Sequence, residues 1–80
     1  MNRRVILKSF NGSPAAPIEC KAEENYWLLI GTSGTALQPK NERSRVLVEF
    51  DVSVRGLGLH CHNPVENTLF ILEEDLQYMT

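Results

Sequence analysis

Apolar and polar residues alternate most regularly between positions 45 and 55. The even positions are Val46, Val48, Phe50, Val52 and Val54, all apolar. The odd positions are Arg45, Leu47, Glu49, Asp51, Ser53 and Arg55, polar except for Leu47. Strand side chains point to opposite faces in turn, so this period of two predicts a half-buried β-strand with its even face on a core. The inner set is β-branched and aromatic, which suits a packed pleated surface. A helix would scatter the same side chains around its circumference.

A second apolar run, Tyr26, Trp27, Leu28, Leu29 and Ile30, predicts another strand. Trp27 and Leu29 would share one of its faces, and Tyr26, Leu28 and Ile30 the other. Gly31-Thr32-Ser33-Gly34-Thr35 follows. Its two glycines permit positive φ or close backbone approach, so a bulge or sharp bend within a strand pair is expected there. Residues 38–44 are polar and carry Pro39 near the strand end, which fits a hairpin loop.

Weaker signals fill in the rest. Residues 5–10 read as a first strand of open register. Pro14 and Pro17 exclude a central strand from the turn-rich stretch 11–17. Residues 18–21 are either a short extended piece or part of a long loop, and 22–25 suit a helical turn. Gly56 and Gly58 mark a kink or tight turn, and Asn63-Pro64 a loop. Residues 68–72 predict a strand, and 73–76 a single helical turn, since acidic residues favour a helix N-terminus. Residues 77–79 would then form a closing strand. The expected core is Val46, Val48, Phe50 and Val52, with Leu28 or Leu29 and Leu69 or Ile71.

A strand, a Gly-x-x-Gly-Thr bend, a polar loop and a Val-x-Val-x-Phe strand, together covering residues 26–55, resemble the SH3-like barrels and especially their KOW-type members. The helical turn at 73–76 is similar to the one such barrels carry between their last two strands. The resemblance implies an all-β fold, a small five-stranded SH3-like barrel with a short helical turn before the last strand. Fold-level likeness implies no activity.

The chain has 80 residues, enough for a single domain over 1–80 and too few for a second core. A domain of this size buries only about 60–65% of its unfolded surface, so modest stability is expected. Barrel closure suits it by removing exposed sheet edges. The net charge of −2 gives no pull toward nucleic acid or an anionic membrane. No stretch approaches the ~20 apolar residues that span a bilayer. Arg3 and Arg4 precede the apolar trio Val5, Ile6 and Leu7, but Lys8 ends it far short of a signal-peptide core. A cytoplasmic protein with Cys20 and Cys61 as reduced thiols is therefore expected.

His60-Cys61-His62 is the most pointed chemical cluster. On an extended segment the two histidines would share a face, with Cys61 opposite. Zinc sites need three or four ligands, usually in paired spacings that this chain lacks, so His60 and His62 stand only as an alternative metal site. Cysteine–histidine catalysis needs a histidine within hydrogen-bond reach of the thiol, and Cys61 would point away from its neighbours. The segment 31–35 lacks the lysine and following helix of a phosphate loop. KOW-type barrels often serve RNA-associated proteins. Here, however, Arg43, Arg45 and Arg55 are interleaved with Glu42, Glu49 and Asp51, which breaks up a basic surface.

Protein recognition is left as the leading reading. If 26–30 is a strand, both its faces are apolar, and one needs cover from residues 11–25 or from a partner. Trp27 is the expected anchor, with Leu47 and Tyr78 as neighbours. The expected function is a small non-catalytic protein-interaction module, either an accessory subunit or an antitoxin- or immunity-type inhibitor, with no cofactor. A nucleic-acid-associated module and a metal-binding domain are the alternatives.

Overall fold

The structure is a computed structural model that describes residues 3–61 and 63–79. Five antiparallel strands, β1 (Arg3–Leu7), β2 (Ser33–Ala36), β3 (Arg45–Phe50), β4 (Thr68–Leu72) and β5 (Leu76–Tyr78), form one sheet in the order β4-β3-β2-β1-β5. β4 and β5 lie at opposite edges, yet only the 3-10 turn Glu73–Asp75 separates them in sequence. A chain this short spans about 14 Å at most, so the two edges must approach and the sheet must curl into a half-barrel. The all-β, five-stranded fold with a helical turn before the last strand is as the sequence predicts.

The curl encloses one core, made by Val5, Leu7, Leu29, Ala36, Val46, Val48, Phe50, Val54, Leu59, Ile71 and Leu76. The even face of β3 is buried as its alternation requires, and Val46 pairs with Ile71 across β4. Both open choices are decided. Leu29 is fully buried where Leu28 is half exposed, and Ile71 is buried where Leu69 is only partly so. Val52 is partly buried against the core.

Three expectations need correction. The alternation at 45–55 outlasts the strand. β3 ends at Phe50, the chain bends, and a 3-10 turn forms at Arg55–Leu57. Val54 nevertheless reaches the core from this bend, which is why the apolar period runs past the last strand residue. The run at 26–30 is no strand but a 3-10 turn, Tyr26–Leu29. Its Leu28 and Ile30 amides bond back to the carbonyls of Asn25 and Trp27, three residues earlier in each case. The glycines of 31–35 also divide their work. Gly31 turns the chain at φ 90°, whereas Gly34 sits inside β2 opposite Phe50. A side chain at Gly34 would meet the Glu49 carbonyl oxygen at 2.6 Å, so close strand approach is what demands glycine there.

The remaining elements fall near their predicted places. A 3-10 turn occupies Ala22–Glu24, β4 matches residues 68–72, and β5 begins one residue before the expected closing strand. β1 lies earlier than residues 5–10, because Phe10 leaves the sheet to bridge Ser13 across the Asn11-Gly12 turn.

Candidate functional site

The long connection from β1 to β2 borders a cavity of about 500 Å³ that is open to solvent. Three aromatic side chains line it: Phe10 from its bridge to Ser13 after β1, and Tyr26 and Trp27 from the 3-10 turn. Phe10 lies between the other two, 4.9 Å from Trp27 in an edge-to-face contact and 5.4 Å from Tyr26. Such ring pairs add about 0.5–1.5 kcal/mol each beyond area burial.

Local hydrogen bonds fix the rings. The Trp27 indole N–H donates to the Ser13 carbonyl at 3.1 Å, tying the turn to the loop in front of it. The Tyr26 hydroxyl donates to the His60 carbonyl at 2.6 Å. Burial, the nearby Glu24 carboxylate and Cys61 push the Tyr26 phenol above its usual range, which keeps it in its donor form. Both polar handles are therefore occupied within the protein, and the three rings line the cavity. The remaining lining includes Pro17, Glu19, Lys21 and Glu24. Ile18, between Pro17 and Glu19 in sequence, is fully exposed.

A buried carboxylate supports the loop from the other side. Asp75 has no exposed surface, and its Oδ1 accepts from Ser9 Oγ at 2.5 Å and from the Gly12 amide at 3.0 Å. Its Oδ2 is buried without a hydrogen-bond partner. The Lys8 amide donates to the Asp75 carbonyl, so this turn holds the loop through main chain and side chain alike.

Trp27, Leu47 and Tyr78 line three different cavities. Trp27 is half-buried, and residues 11–25 cover it in part through the Ser13 contact. Leu47 stands on the outer face of β3 opposite Phe70. With Leu37, Pro64, Val65 and Phe70 it lines a nearly wholly apolar groove of about 240 Å³. Tyr78 faces the core side opposite Val5, and the Arg3 guanidinium lies 4.3 Å from its ring centroid. Sequence reasoning missed Phe10, Glu19 and Glu24, since nothing local shows that the loop brings them to the cavity of Trp27.

His60 lies in an irregular segment between the 3-10 turn at Arg55–Leu57 and β4. Its amide donates to the Glu23 carbonyl. His62 lies outside the described residues. Cys61 Sγ sits 3.5 Å from the Thr68 carbonyl oxygen. Among the described residues, no group of three His, Cys, Asp or Glu side chains could hold a metal ion. Arg45, a candidate phosphate contact, donates instead to the Phe70 carbonyl and to Asn11 Oδ1.

The described residues contain no helix long and apolar enough to cross a membrane. The chain matches no protein-family model, no curated protein and no solved structure.

Proposed function

We propose that this protein is a small non-catalytic interaction module that binds another protein through the Trp27 cavity. The observation that carries the reading is three aromatic rings at an open cavity, with a fully exposed isoleucine in the same loop. Aromatic anchors in preformed hollows are the usual centres of binding energy, and an exposed aliphatic side chain adds apolar surface for a partner to cover. The partner context is an assembly to which this chain is an accessory subunit, or a target that it inhibits in the antitoxin or immunity manner.

The finer fold assignment in this proposal is an SH3-like barrel of KOW type. The strand order, the long β1–β2 connection and the 3-10 turn between the last two strands support it. We place the protein in the cytoplasm, consistent with Cys20 and Cys61 both being free thiols.

Affinity purification of the tagged protein from its native host, followed by mass spectrometry, tests the function. One protein partner should be recovered, and Trp27→Ala should abolish its recovery while circular dichroism stays unchanged. Recovery of nucleic acid instead, with affinity that falls steeply with salt and on Arg45→Ala, would replace this reading with the nucleic-acid alternative.

A further inference from the structure

We infer that the Trp27 cavity receives a basic side chain, a lysine or arginine flanked by an apolar residue, from the protein partner. The inference rests on the protein-binding reading above and names the chemistry of the contact. Three observations converge on it. The rings of Phe10, Tyr26 and Trp27 line the cavity while the indole N–H and phenol O–H are committed to Ser13 and His60. A ligand group that needs hydrogen bonds from these side chains is therefore poorly served, whereas a cation is attracted to ring faces without one.

The second observation is charge. Glu19 and Glu24 line the same cavity, both on exposed positions, against the single cation Lys21. Two carboxylates beside three rings favour a positive group with an apolar stem, and disfavour phosphate or a carboxylate ligand. A lysine or arginine side chain has this build, an alkyl stem for the rings and a charged head for the rim.

The third observation selects a peptide over a small cation. Ile18 is fully exposed between two cavity-lining residues, Pro17 and Glu19. A free ammonium compound would leave it in water. A peptide that inserts a basic side chain can lay its apolar neighbour against Ile18. The size agrees, since about 500 Å³ exceeds a lone ammonium group and lies within the usual range for sites that hold an extended ligand group.

The test uses the full chain and two synthetic peptides, acetyl-Gly-Leu-Lys-Leu-Gly-amide and the same peptide with norleucine for lysine. Binding is followed by the Trp27 indole N–H signal in proton–nitrogen NMR, a unique reporter because the chain has one tryptophan. The lysine peptide, added to about 1 mM, should shift that signal, with affinity about tenfold above the norleucine peptide. Glu19→Gln and Glu24→Gln should each weaken the lysine peptide about two- to fivefold, and Lys21→Gln should strengthen it by a similar factor. These three side chains are exposed, so none of the variants endangers folding.

Equal affinity for the two peptides would overturn the cationic reading and leave an apolar protein-binding cavity. No shift with either peptide would overturn it too, and the purification experiment would then decide the protein-binding reading separately. Binding of tetramethylammonium alone, as tight as the lysine peptide, would show a small-cation site and remove the role given to Ile18.

Discussion

A charged constellation around Asp51 on the outer face of the sheet is structural. Arg4 on β1 grips both carboxylate oxygens of Asp51 and also donates to Thr35 Oγ1 at 3.0 Å. Ser33 Oγ donates to the same carboxylate. The Arg4 and Ser33 bonds hold the Asp51 carboxyl down to about 2. An unfolded aspartate titrates near 4, so this depressed group contributes stability that is complete above roughly pH 4 and disappears as the pH falls toward 2. Urea titrations at pH 5 and pH 2.5 should show a larger loss of midpoint for the wild type than for Asp51→Asn. Equal losses would place the acid sensitivity elsewhere. Asp75 contributes through buried hydrogen bonds. Asp75→Ala removes the acceptor for Ser9 and Gly12 and should cost about 1–3 kcal/mol by denaturant titration, with Asp75→Asn milder because it keeps an acceptor oxygen.

Elements were legible where a periodic face meets the core, and not where a loop makes the contact. β3 follows from alternation alone, since a slip of one residue would expose Val46 and Val48 together. The run 26–30 misled because continuous apolarity has no period. In the structure Leu29 lies in the core, Tyr26 and Ile30 pack against it, and Trp27 bonds to the loop, a division that a single 3-10 turn achieves as well as a strand. The glycine signal at 31–35 was real, but its cause was divided between a turn and a close strand contact. Gly34→Ala tests that division. Its added methyl would meet the Glu49 carbonyl oxygen, Val48 and the Phe50 backbone, in a paired strand that cannot easily retreat. A loss of about 1–3 kcal/mol is expected, and a neutral result would show that β2 and β3 can separate without penalty. Of the candidate site, only Trp27 and Tyr26 were within reach of sequence reasoning. Phe10, Glu19 and Glu24 join them through the fold of the long connection, which no local pattern encodes.

At the scale of the whole molecule, the curled sheet and the long β1–β2 connection should respond separately to mutation. The core cluster joins all five strands and includes Leu29, but Trp27 stands outside it. Residues 9–13 are fastened to the body by the Ser9 and Gly12 contacts with Asp75, and to Trp27 by its indole bond to Ser13. Val48→Asp places an unpaired carboxylate in the fully buried face of β3, at a cost of several kcal/mol against a total stability on the order of 5 kcal/mol, and should unfold the chain as a unit. Trp27→Ala should behave differently. It removes the ring contact with Phe10 and the bond to Ser13, while every strand pairing persists. Hydrogen exchange followed by mass spectrometry should then show faster exchange across residues 9–20 and unchanged protection in β3 and β4. Circular dichroism should remain that of the wild type. If Trp27→Ala instead unfolds β3 and β4 along with the loop, the indole belongs to the cooperative core. The cavity it lines would then be a by-product of packing, and the interaction surface would have to be sought at the Leu47–Phe70 groove.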